Sequence, residues 1–140
     1  MTDEDTLARI AEQIDEFWNE RNVALADEFM TEEFVGPMIG DEDLHGRAEY
    51  KAWAESVAEM FPDFELAFDP VFTGDDVLCG RWTLTGTHEG EIPSLGVEPT
   101  GRPVEFSGLF IDRIEDGRVV EMWHVSDVAS LMEQLGEIPA

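Results

Sequence analysis

Pro62 separates two hydrophobic rhythms, and that separation limits what the chain can fold into. Ahead of it, apolar residues recur every three or four positions. Leu7, Ile10, Ala11, Ile14, Phe17 and Trp18 make one stripe, and Tyr50, Trp53, Ala54, Val57, Met60 and Phe61 make another. That spacing places each set on one face of a helix. Thr6 or Asp5 can cap the first helix. The second follows Gly46 and stops at Pro62, because the residue before a proline is pushed out of the α region. A shorter helix is expected over 24–30, followed by turns from Thr31 to Asp43 around Gly36-Pro37 and Gly40. Beyond Pro62 the period becomes two: Phe64, Leu66 and Phe68 alternate with Glu65, Ala67 and Asp69, the pattern of a half-buried strand. Further strands are expected over 77–88, 104–114 and 119–125, with a turn at Gly74-Asp75-Asp76. A Gly- and Pro-rich loop over 90–102 and a terminal helix over 127–135 complete the reading. Asp116-Gly117 joins the last two strands, since both residues tolerate positive φ. Helices followed by antiparallel strands predict an α+β domain, with helices over one face of a curved, mainly antiparallel sheet and an apolar cavity between them.

The 140 residues predict one domain over 1–140. Charge narrows the partners. Thirty-three acidic residues face eight basic ones for a net charge of −25, and Lys51 is the only lysine. Such a surface repels phosphate backbones and anionic headgroups, which argues against nucleic-acid and membrane partners. The acids run evenly from Asp3 to Glu137. Even spacing with almost no lysine fits a halophilic protein, whose self-repulsion is screened by salt, better than a dedicated surface for calcium or a basic partner. Cys79 stands alone, so no intramolecular disulfide forms, and its strand-like setting makes it a small buried hydrophobe. The N-terminus lacks signal-peptide features and no apolar run reaches membrane-spanning length, so a cytoplasmic protein is expected.

Chemistry is expected in the last third. Glu121, Trp123, His124 and Asp127 fall within seven positions, among aromatic and aliphatic neighbours where burial can shift a pKa. Asp127 precedes the terminal helix, so it can be either an acid/base or an N-cap. His124 is a second acid/base or an oxyanion donor, although strict alternation puts it on the opposite sheet face from Asp127. Trp18, Arg81, His88, Phe110 and Trp123 are the candidate substrate contacts. Asp112 and Glu121 face the same way across a two-residue turn and could be pocket acids, with exposure the default for carboxylates in this chain. Three histidines without HxH or HExxH spacing give no metal site. Leu109, Ile111 and Met122 on one face, with Phe106, Phe110 and Trp123 on the other, leave neither side of the last hairpin polar. A homodimer built on the sheet is expected.

The strings Phe61-Pro62-Asp63-Phe64, Arg81-Trp82-Thr83-Leu84-Thr85-Gly86-Thr87-His88, Gly101-Arg102-Pro103-Val104-Glu105-Phe106 and Arg113-Ile114-Glu115-Asp116-Gly117-Arg118-Val119-Val120-Glu121, then Trp123, Asp127 and the ending Leu131-Met132-Glu133-Gln134-Leu135-Gly136, resemble the SnoaL-like polyketide cyclase family in order and over nearly the whole chain. The resemblance implies the cone-shaped α+β barrel shared with nuclear transport factor 2 and ketosteroid isomerases, and usually a homodimer. It implies a cofactor-independent enzyme acting on a hydrophobic carbonyl compound, by aldol ring closure or isomerisation. It also implies a cavity aspartate as acid/base, a role that maps onto Asp127 of the Glu-x-Trp-x-x-x-Asp pattern. An Arg–carboxylate pair of the kind used by epoxide-opening relatives could involve Arg81. The same fold hosts noncatalytic binders of hydrophobic small molecules, and that alternative stays open.

Overall fold

The computed structural model describes residues 2–39, 43–93 and 96–136. Among the described residues, four helices, α1 (Glu4–Asn19), α2 (Ala26–Phe29), α3 (Arg47–Met60) and α4 (Val128–Gln134), accompany seven strands. The strands are β1 (Met30–Gly36), β2 (Met38–Ile39), β3 (Leu44–His45), β4 (Glu65–Thr73), β5 (Val77–Thr87), β6 (Pro103–Glu115) and β7 (Arg118–Ser126). They form one mixed sheet in the order β3-β1-β7-β6-β5-β4, with β2 also pairing β7. The sheet does not close, and β3 and β4 are its edges. β1 and β2 run parallel to β7, and the remaining pairs are antiparallel.

Both long helices form where the apolar stripes place them. Asp3 caps α1, its carboxylate accepting from the Thr6 amide at 2.7 Å, so the helix starts ahead of the expected caps Asp5 and Thr6. Leu7, Ile10, Ile14, Phe17 and Trp18 are the buried face of α1, and Tyr50 and Ala54 that of α3. The two helices lock together where Trp18 Nε1 donates to the Tyr50 hydroxyl at 3.0 Å in the core.

The segment after α1 departs from expectation. A 3₁₀ turn at Val23–Leu25 leads into the four-residue α2, and Met30 begins β1. Most of the expected turn region is therefore strand; Gly40 itself and residues 94–95 of the long loop lie outside the described residues. Met30, Phe34 and Gly36 are the buried positions of β1. Glu32 and Glu33 mask that pattern in sequence. The strand forms because β7, about ninety residues later, supplies its ladder.

Two bulges shape the sheet. The β6–β7 hairpin turns on Asp116 (φ 52°) and Gly117 (φ 76°), as an Asp-Gly two-residue turn should. Directly after it the register slips: Ile114 pairs Val119, whereas Arg113 pairs Glu121. The extra residue, Val120, reverses the facing of everything that follows in β7. Met122 and His124 point inward with Phe106, Phe110 and Asp112, while Glu121 and Trp123 stay outside with Leu109 and Ile111. This corrects the expected partition, in which Met122 lay with Leu109 and Glu121 with Asp112. Glu121 instead takes the Arg113 Nε hydrogen bond at 3.1 Å on the outer face. The second bulge lies in β4 at Asp69-Pro70, between the pairs Phe68–Trp82 and Val71–Gly80. Arg81 Nε donates to the Asp69 carbonyl there, at 3.0 Å.

Candidate active site

The inner sheet face and the helices enclose a cavity of about 220 Å³. Most of its wall is apolar. Ile14, Leu66, Leu84, Phe106, Met122 and Leu131 contribute aliphatic and aromatic surface, and Trp18, Trp53, Trp82, Phe68 and Phe110 add further rings. Its polar groups are few: Tyr50, Asp112, His124, Ser126 and the indole nitrogens. Val128 lines the cavity yet is 36% exposed, so the open end lies at the start of α4. Phe106 and Asp112 are six residues apart on β6, so the wall runs about 20 Å from the α4 end toward Asp112.

One side of the open end is the loop that follows β5. His88 fastens its base: its backbone exchanges hydrogen bonds with Arg102 and Gly101, and Nδ1 meets Thr100 Oγ1 at 2.9 Å and accepts from the Thr100 amide at 3.2 Å. Gly90 lets the loop cross the end of α3, where any Cβ would collide with the Glu59 carbonyl. Ile92, bridged to Val97, then reaches the cavity wall.

Asp112 is the unusual group. It is 3% exposed, and its Oδ1 has no hydrogen-bond partner. Burial pushes its carboxyl up to about 8. Tyr50 is pushed above its ordinary value by burial and, secondarily, by the nearby Asp112 charge. His124 sits diagonally from Asp112 across the β6–β7 ladder, about 7–8 Å by Cα geometry. Its ring stacks on Trp82 at 5.4 Å with 3° between planes and meets the edge of Trp53 at 5.0 Å. Gly108 makes the stack possible, because a Cβ there would strike the Trp82 ring and the Val125 carbonyl. A carboxyl that keeps its proton beyond neutrality and an imidazole on the same wall can give and take protons out of contact with bulk water.

The structure gathers only some of the sequence candidates here. His124, Trp18 and Phe110 line the cavity. Asp127 is exposed and caps α4, its carboxylate accepting from the Ser130 amide at 3.1 Å, and it is not among the lining residues. Trp123 is 38% exposed on the outer face, and Arg81 is exposed beside the β4 bulge. His88 is fully buried behind the loop, against Phe61, and does not line the cavity. Asp112, Tyr50 and Trp82 carry more of the site than their sequence setting indicates. The available signal for Asp112 was its phase: it shares parity with Phe106, Phe110 and Ile114 on β6. Among the described residues, no group of three or more His, Cys, Asp or Glu is arranged to hold a metal ion.

An open mixed sheet wrapped by N-terminal helices, with a short C-terminal helix, matches the nuclear transport factor 2-like cone fold. The SnoaL-like polyketide cyclase family matches residues 8–135, and the chain belongs to that family. Among solved structures, TsrD from Streptomyces laurentii is 25% identical with a TM-score of 0.88, covering 99% of this chain and 100% of its own. AclR from Streptomyces galilaeus, a proposed hydroxylase, is 26% identical with a TM-score of 0.83, covering 98% and 100%. IdmH from Streptomyces antibioticus, a proposed polyketide cyclase, is 27% identical with a TM-score of 0.79, covering 93% and 98%. No curated protein matches the chain.

Proposed function

We propose that this protein is a cofactor-independent acid/base enzyme that moves a proton next to a carbonyl of a hydrophobic small molecule, closing a ring by aldol addition or isomerising the compound. The observation that carries this reading is Asp112, a buried carboxyl with no Lys or Arg among the described residues of its cavity, facing an apolar space that also holds His124. In this reading the imidazole of His124 takes the proton from the carbon next to the carbonyl. Asp112, protonated up to about pH 8, donates to the carbonyl oxygen as it becomes an enolate. The enolate carbon attacks a second carbonyl, or is reprotonated elsewhere, and the proton held on His124 returns to the alkoxide or carbon. Trp82 and Trp53 fix the imidazole, and Asp127 serves as the α4 cap. Membership of the family supports a cyclase or isomerase in general.

Proton transfer can be followed without the natural substrate. 2-Tetralone, a bicyclic ketone, is incubated with protein in D₂O, and loss of its α-protons is followed by NMR. Exchange should exceed the buffer rate, and His124→Phe or Asp112→Asn should reduce the excess by about a hundredfold or more. Exchange at the buffer rate while 2-tetralone is bound would leave a noncatalytic binding protein of the same fold.

A further inference from the structure

We infer that the cavity is also a binding site for hydrophobic organic cations, with an ammonium group held on Asp112 inside a wall of aromatic rings. The inference shares with the proposed function only the premise that this cavity takes the ligand, and it needs no catalytic step.

Complementarity carries it. Asp112 Oδ1 is buried without a partner, so the fold holds an acceptor whose donor is missing. None of the eight basic residues lines the cavity. Most are committed elsewhere. Arg9, Arg21, Arg81 and Arg102 donate to backbone carbonyls, Arg47 and Lys51 pair with Asp27, and Arg113 pairs with Glu115 and Glu121. Trp18, Tyr50, Trp53, Phe68, Trp82 and Phe110 line the same cavity as the carboxyl, and the faces of desolvated rings attract a cation; Trp82 Nε1, also buried without a partner, offers an anion a single N–H. The net charge of −25 adds a long-range field of the same sign preference. The titratable groups facing the cavity beside Asp112 are Tyr50 from α3 and His124 from β7; α1, β4 and β5 contribute apolar or indole side chains.

Proton balance makes the claim specific. At pH 7 Asp112 is mainly protonated, so an ammonium ion binds by displacing that proton to solvent: the carboxylic acid and R–NH₃⁺ become a carboxylate–ammonium pair and one H⁺. Affinity for an amine should therefore rise with pH up to about 8 and then level.

The test uses three ligands on one bicyclic frame, 2-aminotetralin, 2-tetralol and tetralin-2-carboxylate, titrated calorimetrically into the wild-type protein in molar salt to screen the general surface field. The amine should bind about tenfold or more tightly than the alcohol, with the carboxylate weakest. At pH 7, repeats in buffers of different ionisation enthalpy should show close to one proton released with the amine and none with the alcohol. Asp112→Asn should remove both the amine's preference over the alcohol and the proton release. Equal binding of amine and alcohol, a preference that survives in Asp112→Asn, or amine binding without proton release would each overturn the inference. The release measurement needs no variant, so it stands even if Asp112→Asn fails to fold. Amine selectivity without ketone exchange would sink the catalytic reading alone; exchange without amine selectivity would sink this one alone.

Discussion

A carboxyl that keeps its proton to about pH 8 in the folded chain, against 3.8 for its ordinary value, ties stability to pH. Between those values the folded state holds a proton that the unfolded state has lost. The Asp112 contribution is therefore fully present below about pH 4, declines as pH rises, and levels off above about pH 8. Asn has no proton to lose. Asp112→Asn should gain stability relative to wild type across that window, by at most about 1.4 kcal/mol per pH unit. Urea denaturation of both proteins at a series of pH values and fixed salt gives the difference. Subtraction removes the other carboxylates, including Asp3, Asp27, Asp63 and Asp76, whose hydrogen bonds hold them below the usual range. A difference that stays flat from pH 4 to 8 would show that Asp112 is ionised in the folded state.

At the scale of elements, α4 separates capping from chemistry. It is pinned at both ends: Asp127 accepts from Ser130 at its start, and Gln134 exchanges two 2.7 Å hydrogen bonds with the Glu105 backbone near its end. Asp127→Ala should cost about 1 kcal/mol, and Asp127→Asn much less, because an amide oxygen still caps. Ketone exchange should survive in both variants. A loss of exchange in the Asn variant, with the melt unchanged, would return Asp127 to the chemistry. The helices, the hairpin turn and the last four strands were legible because their signals are local: a 3.6-residue stripe, an Asp-Gly pair, a period of two. β1 was not, since its strand character depends on distant β7 and its sequence carries Glu32 and Glu33. The site was legible as a region but not as a set of residues. A single extra residue at Val120 decides which half of β7 enters the cavity, and alternation counted from the turn assigns the wrong half. That one bulge moved Glu121 and Trp123 out and Met122 in.

At the scale of the molecule, charge and apolar surface act together. We propose that the net charge of −25 makes the fold salt-dependent, with the melting temperature rising on the order of 10 °C between low and molar salt. A transition that does not move would count against halophilic adaptation. The outer sheet face exposes Leu109 (55%), Ile111 (45%) and Trp123 (38%) side by side across β6 and β7. We propose that a second copy covers this face in a two-fold dimer. Light scattering in high salt should give twice the chain mass, and the double variant Leu109→Glu/Trp123→Glu should halve it; a wild-type monomer would end the proposal. The opposite margin of the sheet has a different fate. β4 is an edge of nine residues, ELAFDPVFT, and a flat edge of such composition would invite further strands to add to it. The bulge at Asp69-Pro70 breaks its ladder, proline offers no amide there, and Arg81 occupies the Asp69 carbonyl. In a solution salty enough to strip the charge repulsion that keeps neighbouring molecules apart, that interruption works without electrostatics, and it guards the chain against growth into fibres.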